Sequence, residues 1–132
     1  MEENEKTRSP AASDAAPEAA APPPEPRVSI DRFFDIQLRV AQIVTAERVE
    51  NTDKLMKLEV DLGDERRQIV AGIAAAYEAE QVIGRRIIVV ANLKPARIRG
   101  VESNGMLLAA DFGGRPIIAG FDEDVPLGTR VR

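Results

Sequence analysis

Between Asn92 and Met106 the chain reads Asn-Leu-Lys-Pro-Ala-Arg-Ile-Arg-Gly-Val-Glu-Ser-Asn-Gly-Met, and the residue types in that run suit a polyanion. Lys94, Arg97 and Arg99 supply cations. Asn92 and Ser103 supply small groups that donate and accept hydrogen bonds, and Met106 supplies a flexible apolar surface. A folded RNA presents partners for each of these: phosphates for the cations, 2′-hydroxyls and base edges for the small polar groups, an unstacked base for the apolar one. Gly100 and Gly105 let backbone pass close to a neighbour, and Pro95 keeps the run out of a central strand, so the cations are expected on a short extended loop. On composition alone, a solvated basic loop with structural glycines accounts for the same residues. Met106, heading the apolar run Met106-Leu107-Leu108-Ala109-Ala110, would then belong to the core.

The charge around this run is uneven. The whole chain of 132 residues carries −4, but residues 1–27 hold −3 of it, leaving −1 for the rest. Arg85, Arg86, Lys94, Arg97 and Arg99 lie in a stretch without an acid from Gln81 to Val101. The local field, not the total, governs binding. The chain has neither Cys nor His, which excludes disulfides, thiolate metal sites, a thiol nucleophile and a Ser-His-Asp triad within it. A Ser103–Lys94 dyad or the acidic Asp122-Glu123-Asp124 could be imagined as catalytic, but no nucleophile elbow, phosphate loop or metal-ligand spacing accompanies either. The acids read as a solvated turn, and neither enzyme activity, metal nor cofactor is expected. No apolar run approaches the ~20 residues of a bilayer span, and the N-terminus is not built as a secretory signal, so the expected setting is the cytoplasm.

The elements that must position the basic run follow from pattern. Residues 1–27, rich in Ala and Pro with scattered acids, cannot form a core and read as a disordered arm or linker ahead of one domain, residues 28–132. Ser29 is a candidate N-cap for a helical turn through Phe34, with Phe33 and Phe34 plugging one end of the core. Leu38 to Val49 is β-branched, and its apolar phase shifts between Val40 and Ile43, which predicts a bulge or strong bend. Leu58 and Val60 alternate inward, a turn at Leu62-Gly63-Asp64-Glu65 follows, and Arg66 to Ile73 returns as the partner strand. Ala74 to Glu80 reads as a short helix. Arg86 to Val90, Gly105 to Ala110 and Arg115 to Ala119 read as strands, the last two joined at Gly113-Gly114. Strands in this number, with a helix after the third, fit a five-stranded OB-type barrel, although an SH3-like barrel or small sandwich shares the pattern.

The run Asn92 to Ala110 resembles the signature of the tRNA-binding domain family. That family includes the C-terminal domain of bacterial methionyl-tRNA synthetase, free-standing structure-specific tRNA-binding proteins and tRNA-binding cofactors of eukaryotic synthetase complexes. Leu38-Arg39-Val40, the run Asp53 to Gly63 and the run Arg67 to Ile73 match in order and approximate spacing, so the resemblance covers about Ser29 to Arg132. It implies an all-β OB-fold, with a short helix between strands 3 and 4 and a C-terminal strand extension, that grips tRNA by shape at the corner of the L. Carried over by position, it implies tRNA contacts at Asn92, Lys94, Arg97, Ser103 and Met106; the residue-level reading adds Arg99. Arg39 and Lys54 also match, as possible contacts, with an ion-pair role for Arg39 and a plain exposed position for Lys54 as alternatives. The resemblance further implies a homodimer through Arg115 to Arg132 and methionyl-tRNA synthetase as a possible partner. A secretion-chaperone-like peptide-binding protein on the same fold is the alternative; the more basic loop here counts against it. Gln37, Ala41 and Gln42 stand where the family often has an acid, a Gly and a Lys, and Ala74-Ala75-Ala76 is less polar than the family's usual helix start.

Overall fold

The computed structural model describes residues 26–132, so the expectation for the N-terminal arm lies almost wholly outside the described residues. The chain opens with α1 (Ile30–Phe34), then β1 (Leu38–Arg48), β2 (Met56–Asp61) and β3 (Arg66–Ala71). A short helix, α2 (Ala79–Val82), precedes β4 (Arg86–Val90). Four short strands follow, β5 (Ala96–Ile98), β6 (Val101–Ser103), β7 (Met106–Leu107) and β8 (Ala109–Phe112), and then β9 (Arg115–Ile118) and β10 (Arg130–Val131). The main sheet runs β3-β2-β1-β4-β7, with β10 added to β1. It curls into a nearly closed OB-type barrel with α2 between the third and fourth strands.

Curvature is concentrated in β1. Its first half pairs with β4, from Leu38↔Val90 to Gln42↔Arg86, and its second half with β2, from Gln42↔Asp61 to Arg48↔Met56. The register against β2 slips between Ile43 and Thr45. That bulge lets one strand serve two parts of the barrel wall. Ala41 and Ile43 belong to the barrel core with Met56, Leu58, Val60, Leu62, Ile69, Ile87 and Val89. Val40, out of phase with them, is buried where the C-terminal segment crosses β1: its N–H donates to Thr129 O and its carbonyl accepts from Gly128 N. The phase shift in the sequence is therefore one strand buried on both faces. Ala41 has no positive φ, so the Gly of the family pattern is not required by the backbone here.

Three expectations are corrected. Ser29 does cap α1, its Oγ accepting from Arg32 N at 3.2 Å, but α1 has no buried residue, and Phe34 lies on the surface instead of plugging the core. The Ala74–Glu80 stretch forms a tight turn at Ala74–Tyr77, closed by Ala76 N and Tyr77 N on Ile73 O, and helix begins only at Ala79. A capping box between Glu78 and Gln81 starts it there. The Gly105–Ala110 strand breaks at Leu108, whose N–H returns to Ile88 O; β7 stays in the barrel and β8 leaves it to pair only with β9.

Candidate nucleic-acid interface

The basic run is a β-hairpin, not an extended loop. β5 and β6 pair through Ala96↔Ser103, Arg97↔Glu102 and Ile98↔Val101. The two-residue turn is Arg99-Gly100, with φ of +54° and +79°. Positive φ at both positions matches the right-handed twist of the flanking strands, which explains a glycine at the second. It also leaves Arg99, a residue with a side chain, at the tip in the left-handed region. Arg97 lies across from Glu102 in register, yet its Nη1 donates to Gly100 O at 2.8 Å, turning the guanidinium toward the tip.

Ion pairing separates these cations from most others on the strands. Arg39 pairs with Asp64 at 3.1 Å, Lys57 with Glu47 at 2.7 Å, Arg67 with Glu65 at 3.1 Å and Arg86 with Asp124 at 3.3 Å. Arg66 pairs across strands with Glu59, and Arg48 with Glu78. Among the described residues, no salt bridge involves Lys54, Lys94, Arg97 or Arg99. These four are exposed and none is held in an ion pair among the described residues, so their field reaches solvent. Lys54 and Arg99 line one shallow depression of about 460 Å³ with Asn51, Thr52 and Asp53. The fold thus brings Lys54, 45 residues before Arg99 in the sequence, to the hairpin tip.

The remaining predicted residues fall into two groups. Met106 lies at the hairpin's root in β7, paired with Val90, and is 47% exposed, so it faces solvent instead of filling the core. Asn92, Ser103 and Arg39 have side chains engaged within the protein. Asn92 Oδ1 accepts from Gln37 N at 2.8 Å, and its Nδ2 donates to Asp35 O at 2.7 Å. Ser103, 4% exposed, accepts from Val70 N at 2.9 Å and donates to Gly105 O at 3.1 Å. Arg39 donates to Asp64 Oδ1 and to the carbonyl of Gly128, an ion-pair arrangement. Gln68 was not singled out in the sequence. Its Nε2 donates to Glu102 O at 2.8 Å and its carbonyl accepts from Asn104 N at 2.8 Å, fastening β6 to β3. A neutral amide among the charged residues of β3 was its only signal.

A second hairpin, β8–β9, also stands outside the main sheet, turning through Gly113-Gly114 at φ of +61° and +83°. Its Phe112 is 68% exposed. It is held to the barrel by Tyr77, whose Oη accepts from Ile118 N at 3.1 Å while Arg85 stacks over the ring at 5.0 Å.

Sequence and structure comparisons converge on one family. A profile described as "Putative tRNA binding domain" matches residues 38–130. The methionine–tRNA ligase of Deinococcus radiodurans is 51% identical over 122 residues, covering 91% of this chain and 18% of that protein. The Thermotoga maritima methionine–tRNA ligase is 48% identical over 104 residues, 79% of this chain and 16% of its own. The chain therefore spans less than a fifth of these curated relatives. A methionyl-tRNA-synthetase-related protein from Pyrococcus horikoshii superposes with a TM-score of 0.78 at 40% identity, over 82% of this chain and 100% of that one. The chaperone CsaA of Bacillus anthracis superposes with a TM-score of 0.74 at 26% identity, over 81% of this chain and 100% of that one.

Proposed function

The chain belongs to the tRNA-binding domain family, and from that premise we propose that it is a non-catalytic module that holds tRNA by shape. Lys94, just ahead of β5, and Arg97 and Arg99 on the β5–β6 hairpin neutralise phosphates, Lys54 extends that face at the tip, and Met106 packs against a base or ribose at the root. The observation that carries this reading is the absence of any ion pair to those cations among the described residues, on a chain whose other strand cations are largely paired. Lysine and arginine on a hairpin tip bind without reading sequence, because phosphate contacts position a nucleic acid and base contacts specify it. The module concentrates tRNA in the cytoplasm, free-standing or beside methionyl-tRNA synthetase, the enzyme whose relatives share this domain. It needs no cofactor for this and performs no aminoacylation of its own.

The test is filter binding of mixed tRNA, duplex RNA and single-stranded RNA across a salt series. The expected result is preference for tRNA, little discrimination among tRNA species, and a log-affinity that falls linearly with log salt at roughly 0.7–0.9 per phosphate neutralised. Lys94→Ala combined with Arg97→Ala should weaken binding and flatten that slope while leaving the fold intact. Wild-type binding by the double variant would sink the site.

We propose as well that the module is a homodimer through Arg115 to Arg132, with β8 beside that segment. Support comes from the β8–β9 hairpin, which carries Phe112 into solvent, and from the outer edge of β8, which pairs with no strand among the described residues. A second reading, a peptide-binding chaperone, is favoured by the likeness to CsaA. Competition between an unfolded peptide and tRNA for the purified protein separates the two: mutual displacement supports the peptide reading, and indifference to peptide supports the tRNA one.

A further inference from the structure

The barrel has a seam. β3 and β7 stand at opposite ends of the sheet order, and no ladder joins them. What crosses the gap is the root of the basic hairpin: Ser103 Oγ accepts from Val70 N, Asn104 N donates to Gln68 O, and Gln68 Nε2 donates to Glu102 O. Ser103 then donates to Gly105 O, fixing the exit toward β7. Gly105 has φ of +135°, and a Cβ there would stand 3.1 Å from Val90 O, so the exit is also sterically confined. The other root is fixed similarly. Asn92 follows the end of β4 and bridges Gln37 N and Asp35 O, while Ala91 N donates to Gln37 O at 2.7 Å. Both side chains satisfy backbone groups that no strand partner serves.

We propose that Asn92 and Ser103 are positioning residues: they moor the two roots of the β5–β6 hairpin so that Lys94, Arg97 and Arg99 meet their phosphates together, and they take no part of the RNA themselves. The proposal rests on the tRNA reading above but assigns these two side chains a different role from direct contact. Cations on a hairpin engage several phosphates at once only if the hairpin is held at one angle. A moored hairpin has paid its ordering entropy before binding; an unmoored one loses it at the moment of contact. The seam location makes Ser103 the stronger mooring, because its hydroxyl stands in for a missing ladder bond. Asn92 acts at a more exposed junction and ties the hairpin to α1, which has no buried residue of its own.

Salt dependence distinguishes the roles, because Asn and Ser are neutral. A neutral group that touches RNA directly changes affinity and leaves the salt slope alone. A substitution that only lowers the folded fraction does the same. A mooring acts through the cations, so its loss makes the slope shallower. The experiment is tRNA filter binding across a salt series with full-length wild type, Asn92→Ala, Ser103→Ala, Ser103→Thr and Lys94→Ala/Arg97→Ala/Arg99→Ala, together with each mooring substitution added to that triple variant. Amide hydrogen exchange of the free proteins runs alongside. The expected results are a roughly tenfold weaker affinity at low salt for Ser103→Ala, with a slope reduced by about one phosphate, and a smaller change of the same kind for Asn92→Ala. Ser103→Thr, which keeps the hydroxyl, should restore the slope. Neither alanine should add to the triple variant. Exchange should quicken at Val70 in Ser103→Ala and at Gln37 in Asn92→Ala. An unchanged slope in both alanine variants, or full additivity with the triple variant, overturns the mooring role. Wild-type protein that does not bind tRNA overturns the tRNA reading instead, and the exchange data then still decide whether the hairpin is moored.

Discussion

Two hairpins stand outside the barrel, built to the same plan and surfaced for different partners. β5–β6 and β8–β9 are both two-stranded, and both turn through two residues of positive φ, Arg99-Gly100 and Gly113-Gly114. The first carries Arg97 and Arg99 on exposed positions and is fastened by hydrogen bonds across the seam to β3. The second carries Phe112 into solvent and is fastened by the phenol of Tyr77. A hairpin with a two-residue turn has few ways to bury its side chains, so its exposed residues declare what meets it. Cations not held in ion pairs suit a polyanion, whereas an apolar tip beside an unpaired edge suits another protein surface. On the proposed reading the two surfaces are separate, so RNA binding and association should change independently.

The largest effect should come from a change that both hairpins share. Gly128 has φ of +86°, and a Cβ there would lie 2.6 Å from Leu62 O and 3.0 Å from Arg39 Nη2. Gly128→Ala should cost on the order of 3 kcal/mol of stability through backbone strain and overpacking. Both hairpin functions should fall together, as read by chemical denaturation alongside tRNA binding and sedimentation. A stable Gly128→Ala protein would show that the C-terminal crossing of β1 does not support the barrel.

Next in size is the polar hairpin. Three phosphate contacts correspond to an affinity that falls roughly 20- to 40-fold between 50 and 200 mM salt. Lys94→Ala/Arg97→Ala/Arg99→Ala should remove that dependence and leave sedimentation of the free protein unchanged. A shift in sedimentation would mean that the two hairpins are not separate surfaces. For the apolar hairpin, Phe112→Asp should weaken self-association by about tenfold, in line with losing much of one aromatic side chain's burial. The salt slope per protomer should stay as it was, and equal association constants for variant and wild type would remove Phe112 from any interface. The smallest effect is expected from Tyr77→Phe, which deletes the acceptor for Ile118 N at a cost of about 1 kcal/mol. Exchange should quicken at Ile118 and stay unchanged at Val70. Equal quickening at both amides would show the two hairpins coupled through the barrel.

Much of this was legible in the sequence where a local rule acted alone. Leu58 and Val60 alternate into the core, and Ser29 caps α1, because strand period and capping need only neighbours. The basic run was legible as chemistry, but its shape was not: the two-residue turn at Arg99-Gly100 places a non-glycine at positive φ, which residue preferences do not favour. The bonds of Asn92 and Ser103 were hidden for another reason. Their partners, Gln37 and Val70, are 55 and 33 residues away, and backbone groups carry no signature in a side-chain pattern. Phe34 misled because an aromatic pair reads as core, whereas a five-residue helix has too little length to seat both rings.

The edges of β8 and β9 are not equivalent, and the difference sets how many partners the second hairpin can take. In this antiparallel pair, Ala119 N donates to Leu108 O, so the alternation of the ladder turns residues 116 and 118 of β9 outward. Residue 116 is Pro, which has no N–H to offer, and the N–H of Ile118 is already given to Tyr77. That edge is closed to a further strand. β8 turns Ala109 and Asp111 outward with ordinary backbone and, among the described residues, nothing beside them in the sheet order. The hairpin thus has a valency of one. A strand added along β8 completes a finite assembly, and with no second edge to offer, the pairing has no direction in which to propagate into a fibre.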